Sequence, residues 1–259
     1  MPAITSLPFV GSAWGNYWLE SSLPYNNSYG AAIYLPHYSS LDFRGNWIYG
    51  PGDPSGYNIG LVTADQESVV VFGNGGIAQF TYGIHGFGPG GGTTGLRIRD
   101  TTLKTCWFRG LDLNARGFDL HNVTADGIGG GTHVYTLGHS FGFELRGTGV
   151  VRDCVARNIW NPVAEREKVG FGVYDNATPI VFRGNVAHNA TQDANSIGFW
   201  FGSAASRVVA QDNTAVNQAI GFWWSEQGTA GSFRDNHTDN CGQKYRFNPA
   251  LVTDAGGNT

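Results

Sequence analysis

The chain has 259 residues, of which 39 are glycine, and aromatic and charged residues each make up 14% of it. This composition suits many short strands joined by tight corners better than amphipathic helices, so we predict an all-β protein. The formal net charge is -4 and no cluster of basic residues is present, which excludes the electrostatic footprint of a nucleic-acid-binding protein.

The first forty residues are rich in aromatic residues and glycine and do not follow the repeat of the later chain. We predict that residues 1–40 form an N-terminal cap that shields the first coil of a solenoid from solvent and from edge pairing. Residues 41–259 are predicted to form the solenoid, and the two parts together make a single domain.

A short phrase recurs between residues 60 and 247, consisting of glycine, an apolar residue, a variable residue and usually another apolar residue. Its apolar anchors are Leu61, Ile84, Phe118, Phe143, Phe171, Phe199, Phe222 and Tyr245. The last three anchors are 23 residues apart, which predicts a basal coil of that length, and longer steps indicate loop insertions. Because one coil cannot bury its apolar face alone, the repeat predicts a right-handed parallel β-helix of about eight or more coils.

A second phrase accompanies the later coils and ends in asparagine each time, at Asn158, Asn189, Asn217 and Asn240. Asparagine tolerates a left-handed backbone, and its amide can bond the equivalent residue of the next coil. We therefore predict that these asparagines stack at one corner.

Cys106, Cys154 and Cys241 are odd in number and widely spaced, which favours buried free thiols over a disulfide framework or a metal site. No segment approaches the roughly 18 apolar residues of a membrane span. The opening residues also lack the basic and apolar regions of an export signal. The compartment stays open: secreted or periplasmic if a signal has been removed, and cytoplasmic otherwise.

The stretch from Ser40 to Ile48, followed by Gly50-Pro51-Gly52-Asp53, resembles the opening coils of the pectate-lyase-like superfamily. The later coils resemble the right-handed parallel β-helix repeats of that superfamily, over residues 31–247. The phrase Gly117-Phe118-Asp119-Leu120-His121 partly resembles the core of the mannuronan C5-epimerase motif, with leucine in place of the family's proline. This resemblance implies that Asp119 and His121 act on a sugar.

Stacking the coils on these anchors places the variable positions in an outward row, spaced by about 4.8 Å per coil. The row reads Val62, His85, Asp119, Glu144, Gly172, Trp200, Trp223 and Arg246. A second row, two residues later, reads Ala64, Phe87, His121, Arg146, Tyr174, Gly202, Ser225 and Asn248. A merely solvated face would carry mainly threonine, serine, lysine and asparagine, so these rows predict a ligand site.

Five residues of these rows are predicted to be catalytic: Asp119, His121, Glu144, Arg146 and Tyr174. A lyase or epimerase acting on uronates must neutralise the sugar carboxylate and exchange a proton at C5. Arg146 would neutralise the carboxylate, His121 or Tyr174 would exchange protons, and Asp119 would orient His121. For the less favoured glycoside hydrolysis, Asp119 and Glu144 would form the carboxyl pair, at the close spacing of a retaining enzyme.

Six further residues are predicted to bind substrate: His85, Trp200, Trp223, Arg246, His133 and His139. The two tryptophans on successive coils are predicted to form a flat aromatic platform for a sugar ring. His133 and His139 lie on an insertion between residues 127 and 140, which is expected to flank the groove together with an insertion at residues 87–94. Their spacing matches no known metal site, so neither a metal nor another cofactor is predicted.

Three functions remain open at this point. The leading hypothesis is a polysaccharide lyase or epimerase, which the row of histidine, arginine, tyrosine and carboxylate side chains favours. The first alternative is a non-catalytic glycan-binding or tailspike-like module, since no complete catalytic motif is present. The second alternative is an isomerase or cyclase that binds a small molecule in the aromatic groove. The predicted partner is a polysaccharide or other small substrate, without nucleic acid or membrane, and an oligomer is compatible with the sequence.

Overall fold

The computed structural model describes residues 1–87, 92–136, 138–174, 179–202, 207–225 and 230–259. Its strands pair in parallel, and within a ladder each strand pairs with the equivalent strands of the neighbouring coils. The chain passes through three ladders in turn before it returns to the first. The all-β parallel β-helix predicted from the repeat is therefore confirmed. The glycine-rich run at 88–91, predicted to flank the groove, lies outside the described residues.

The first ladder carries the repeated glycine phrase. Its strands are Phe9–Val10, Tyr29–Tyr34, Tyr57–Val62, Tyr82–Gly86, the first part of Arg109–Asp126, the first part of Ser140–Arg152, Lys168–Val173, Ser196–Phe201, Ile220–Trp224 and Gln243–Arg246.

The second ladder follows the first in each coil. Its strands are Ala3–Ile4, Asn16–Leu19, Ser40–Asp42, Val70–Phe72, the first part of Arg97–Lys104, the middle of Arg109–Asp126, the end of Ser140–Arg152, Ile180–Arg183, Val208–Gln211, Gly231–Arg234 and Val252–Asp254.

The third ladder closes each coil. Its strands are Leu23–Pro24, Trp47–Tyr49, Gly76–Ala78, the end of Arg97–Lys104, the end of Arg109–Asp126, Val155–Arg157, Val186–His188, Thr214–Val216 and His237–Asp239. Outside the ladders, Thr93–Thr94 pairs with the corner of a neighbouring coil, and Val134–Thr136 is a 3-10 turn.

The first forty residues contribute strands to all three ladders. Ala3–Ile4 pairs with Asn16–Leu19, and Tyr29–Tyr34 pairs with Tyr57–Val62. These residues therefore extend the solenoid by further rungs. The assignment of residues 1–40 as a separate cap stays a prediction.

A column of stacked aromatic rings fills the core under the first ladder. Neighbouring rings of Phe143, Phe171, Phe199 and Phe222 lie nearly parallel, with centroids 4.6, 4.9 and 4.7 Å apart. The glycine before each phenylalanine lets the coils approach, because a Cβ at Gly142 would lie 2.8 Å from the carbonyl oxygen of the next coil. Stacking of the repeated phrases is thus confirmed for these coils.

The repeat was assigned to the wrong residues at one coil. Leu111, not Phe118, pairs with Ile84 on one side and Phe143 on the other. Phe118 lies further along the same strand, on the second ladder, where its ring is buried. The Gly-Phe pair at residues 117 and 118 belongs to a different face from the other Gly-Phe pairs, so the predicted row is wrong at this position.

Asparagines form two separate columns that run along the solenoid. The four predicted asparagines follow equivalent strand ends of the third ladder. The Asn240 amide donates to Asn217 Oδ1 over 2.7 Å, and Asn217 donates to the carbonyl of Asn189 over 2.8 Å. The predicted corner stack is confirmed for Asn189, Asn217 and Asn240, whereas the Asn158 amide donates to Asp126 over 2.9 Å.

A second asparagine column, buried between the second and third ladders, was not predicted. Its members are Asn185, Asn213, Asn236 and Asn258, and each amide donates to the Oδ1 atom of the next at 2.9, 3.0 and 3.1 Å. The same oxygen atoms accept the backbone N–H of the preceding coil. The column therefore satisfies buried polar groups that the turning backbone leaves without strand partners.

The three cysteines are free; Cys106 and Cys154 are buried and Cys241 is partly exposed. Burial raises the pKa of the Cys106 and Cys154 thiols to about 12. The prediction of buried thiols is thus confirmed for two of the three. Within the described residues, no helix has the length and apolar character needed to cross a membrane.

Replacing Asn213 by alanine is expected to destabilise the protein by about 2 kcal/mol or more, because donors and acceptors of two neighbouring coils lose a buried partner. Urea unfolding of Asn213→Ala against the wild type measures this change. Gln211→Ala, which removes a partly exposed amide from the same coil, is the matched control and is expected to change stability by less than about 0.5 kcal/mol. Equal effects of the two substitutions would contradict a structural role for the buried column.

Candidate functional site

The outward surface of the first ladder carries the candidate site. In the structure, one row of this surface reads His85, Asp112, Glu144, Gly172, Trp200, Trp223 and Arg246. The predicted row is reproduced except at one position, where Asp112 stands in place of Asp119. Arg146 and Tyr174 follow this row two residues later, as predicted.

Asp119 and His121 lie on the second ladder, away from Glu144. Asp119 contacts Arg99 at 3.1 Å and Arg152 at 3.3 Å, and His121 lies 3.4 Å from Asp153. The predicted proximity of Asp119 to Glu144 is therefore wrong, and so is its hydrolase pair. The cause is the misassigned coil, because the strand Arg109–Asp126 turns a corner before it reaches these residues.

Four charged side chains form one network at the centre of the row. Glu144 is buried, and its two carboxylate oxygens accept hydrogen bonds from Arg109 and Arg146. Arg146 also donates to Asp112 over 3.2 Å. The positive charges thus offset both carboxylates, so two acidic groups can stand on adjoining coils without strong repulsion.

His85 completes this network at its N-terminal end. Its Nδ1 atom lies 3.2 Å from Asp112 Oδ2, although the two groups are not aligned for a hydrogen bond. A carboxylate at this distance can orient an imidazole and stabilise its protonated form. His85 and Asp112 therefore form an imidazole–carboxylate contact at the edge of the network.

Aromatic rings wall a pocket of about 360 Å³ over this network. The walls are formed by Tyr57, Tyr82, Phe87 and Phe108. Tyr82 is buried, and its ring packs edge to face with the His85 ring at a centroid distance of 5.2 Å. Burial raises the pKa of the Tyr82 phenol, so this hydroxyl stays protonated at neutral pH.

His133 and His139 both lie beside this face, as expected for residues on an insertion. The His133 ring is 5.8 Å from the ring of Tyr57, which lines the pocket. The His139 carbonyl accepts a hydrogen bond from Arg109, and its ring contacts the Glu167 carboxylate. His139 thus holds Arg109 through its backbone.

The two tryptophans form a column instead of an open platform. Trp200 stacks on Phe141 on one side and on Trp223 on the other, with both centroid distances 5.9 Å. The guanidinium of Arg246 covers Trp223 at 4.7 Å. Gly172 makes room for Phe141 in this column, because a Cβ there would lie 2.4 Å from the ring. The tryptophan faces are therefore covered, and substrate binding by Trp200, Trp223 and Arg246 stays a prediction.

Tyr174 links the charged network to the tryptophan column. Arg146 lies over its ring at 5.2 Å, and its ring meets Trp200 edge to face at 4.8 Å. Burial, followed by the negative charge of Glu144, raises the pKa of the Tyr174 phenol to about 12. Its predicted proton exchange stays a prediction.

Sequence reasoning missed Arg109, Asp112 and Tyr82. A signal for Asp112 was present, since residues 110–113 read Gly-Leu-Asp-Leu and fit the repeated phrase with leucine as the anchor. Arg109 and Tyr82 carry no signal beyond their position before a strand glycine. Among the residues that the structure describes, no group of three or more His, Cys, Asp or Glu side chains is arranged to hold a metal ion.

No protein-family model matches the sequence, and no curated protein matches it. Solved structures do resemble the chain. The mannuronan C-5 epimerase AlgE4 A-module of Azotobacter vinelandii shares 12% identity, with a TM-score of 0.42 over 98% of this chain and 88% of that chain.

The tailspike protein of E. coli bacteriophage HK620, solved with a pentasaccharide, shares 10% identity, with a TM-score of 0.42 over 94% of this chain. The Agl-KA catalytic domain shares 8% identity, with a TM-score of 0.39 over 95% of this chain. This chain spans 59% and 58% of the lengths of those two proteins.

Replacing Glu144 by glutamine is expected to destabilise the fold by about 3 kcal/mol, because Arg109 and Arg146 lose the carboxylate that balances them in a buried place. Urea unfolding measures the change. Asp235→Asn is the control, since it breaks an ion pair with Arg234 in which both side chains are about half exposed; its cost is expected to be below about 1 kcal/mol. Similar costs would contradict a stabilising role for the paired charges around Glu144.

The raised pKa of Tyr82 predicts the alkaline behaviour of the protein. The folded-state pKa of Tyr82 lies above the ordinary value of about 10 for an unfolded chain. The protonated phenol therefore contributes fully to the free energy of unfolding below that pH, and this contribution is lost as the pH rises beyond it. Tyr82→Phe should therefore lessen the loss of stability above about pH 10. Phenolate absorbance checks the cause: wild type and variant should differ by one titrating phenol near pH 10 in urea, but not in the folded state. A difference in the folded state near pH 10 would refute the assignment.

Proposed function

We propose that this chain is a carbohydrate-active enzyme that removes a proton from a uronate ring of a polysaccharide, by lyase or C5-epimerase chemistry. The observation that carries the proposal is the pocket in which the His85–Asp112 pair lies beside a protonated phenol and an arginine. These are the base, acid and carboxylate-neutralising groups that such a reaction requires.

In the proposed reaction, His85 takes the C5 proton, and the electron pair of the C–H bond moves into the sugar carboxylate. Arg146 stabilises the resulting enolate, and Asp112 stabilises the imidazolium. In a lyase, the electrons then form the C4–C5 double bond, the C4–O bond breaks, and Tyr82 protonates the leaving oxygen. In an epimerase, Tyr82 instead gives its proton to C5 from the opposite face of the ring, and the electron pair of the enolate forms the new C–H bond.

Arg146 is the group of the pocket that would meet the carboxylate of an acidic substrate. Arg109 and Arg146 offset Glu144 and Asp112, so the network is neutral when His85 is neutral. Arg146 donates from Nη1 to Asp112 and from Nη2 to Glu144, and it lines the pocket, where a substrate carboxylate would approach its other N–H groups. Glu144 is then a positioning residue, since both of its oxygens already accept arginine donors.

A second candidate is a glycan-binding module without turnover. The observation that favours it is that both carboxylates of the pocket are paired with arginines, and that His85 Nδ1 and Asp112 are not aligned for a hydrogen bond. Replacing His85 distinguishes the two candidates. It abolishes turnover and largely preserves affinity in an enzyme, whereas a binding module has no turnover to lose.

His85→Ala is expected to lower the rate of uronate conversion by about a hundredfold or more, because the base is lost. The assay uses polymannuronate, polygalacturonate and neutral glycans, read by the ultraviolet absorbance of unsaturated products and by proton NMR in heavy water, which reports exchange at C5. His121→Ala is the matched control, since this histidine lies on the second ladder, and it should keep wild-type activity. Loss of activity in His121→Ala alone would move the site to the second ladder. An inactive wild type across the panel would overturn the proposed chemistry.

A further inference from the structure

The aromatic surface of the pocket continues by one coil towards the N-terminal end of the solenoid. Tyr29 pairs in register with Tyr57, which lines the pocket. The two residues are thus separated by one coil, or about 4.8 Å. Tyr29 is 65% exposed, so its ring is accessible to a ligand.

The insertion after the strand Arg109–Asp126 folds back over these earlier coils. Gly131 donates a backbone hydrogen bond to Trp107, Thr132 donates one to Pro54, and Thr136 donates one to His133, at 2.7, 2.9 and 2.7 Å. The His133 ring consequently lies edge-on to Tyr29 at 6.5 Å and tilted against Tyr57 at 5.8 Å. This wall is formed before any ligand arrives, which lowers the entropic cost of binding.

We infer that Tyr29, Tyr57 and His133 form a binding subsite for the sugar ring next to the reacting ring. The inference rests on the proposed function, because the pocket fixes where the reacting ring lies. Sugar rings combine an apolar C–H face with hydroxyl groups, and tyrosine offers a flat apolar ring with a polar tip. Tyr29 has its ring largely exposed, whereas the rings of Trp200 and Trp223 are covered by their stacking partners.

The subsite predicts that the affinity for an oligosaccharide depends on its length. A monosaccharide fills the pocket alone, so its affinity does not depend on Tyr29. A longer chain also reaches the neighbouring coil and gains the contact. Loss of one aromatic contact of this kind weakens binding by about three- to tenfold.

Tyr29→Ala is the test variant, and Tyr49→Ala is its matched control. Tyr49 is also exposed, at 41%, but it lies on the third ladder, where it stacks on Trp47. Both substitutions are made in the inactive His85→Ala protein so that substrates persist. Binding of mannuronate and galacturonate monosaccharides and of their tetrasaccharides is measured by NMR titration. Tyr29→Ala should weaken tetrasaccharide binding by about three- to tenfold and leave the monosaccharide unchanged, and Tyr49→Ala should change neither.

Each other outcome overturns the subsite. Equal weakening for both ligand lengths would assign Tyr29 to the pocket itself, and weakening by Tyr49→Ala as well would show a general effect of removing a surface ring. If Tyr29→Ala leaves tetrasaccharide affinity unchanged while the wild-type protein converts uronates, the subsite is overturned and the proposed function is preserved. Failure of every uronate to bind or react would overturn both.

Discussion

Contact between identical positions of successive coils is the interaction on which this structure depends. Phe143 meets Phe171, Asn185 meets Asn213, and Trp200 meets Trp223, each one coil further along. Parallel strand pairing fixes this register for backbone and side chains together, because a shift by one residue would turn every inward side chain outward. The same rule brings His85, Asp112 and Glu144 together, although they are widely separated in sequence. The site is thus a product of coil stacking and needs no separate scaffold.

The stacking rule separates two regions on the outward face of the first ladder. At Glu144 and Asp112 it brings two carboxylates together, and the positive charges of Arg109 and Arg146 offset their repulsion. Further along, the same row holds stacked aromatic rings over a buried apolar cluster of Phe141, Val169 and Ile197. The charged region keeps polar groups directed at a pocket, whereas the aromatic region is packed against itself. This difference is the physical reason to place chemistry at the first region.

Much of the fold follows from the sequence because each coil repeats the same burial pattern. The anchors from Phe143 to Tyr245 were assigned to the correct ladder, and so were Glu144 and Arg146. The error at Phe118 arose because Gly-Phe suits any buried strand with a close neighbour, so the phrase marks burial but not the ladder. Where insertions lengthen a coil, spacing cannot decide between Leu111 and Phe118.

The site was harder to predict than the fold for a related reason. The position of each charged residue in the outward row depends on the alignment of the coils. One wrong anchor, Phe118 in place of Leu111, therefore put Asp119 in the row where Asp112 lies. The pocket walls depend on side chains such as Tyr82 and Phe108, which precede or begin strands and follow no repeat. For the buried asparagine column, the repeat is visible in the sequence but the orientation of the side chains is not. Three of its four asparagines, Asn185, Asn213 and Asn236, recur in the second phrase, but the sequence does not tell which asparagine of each coil faces inward.

The column of stacked rings beginning at Phe141 has a consequence for how this surface can change in evolution. Each coil beyond Glu144 contacts mainly its two neighbours, so a coil can be gained or lost there while His85, Asp112 and Arg146 keep their places. The length of the surface beside the pocket is therefore adjustable in whole coils, independently of the residues that line the pocket. In a solenoid of this kind, the length of the outward surface and the proposed reaction at the pocket can be selected separately.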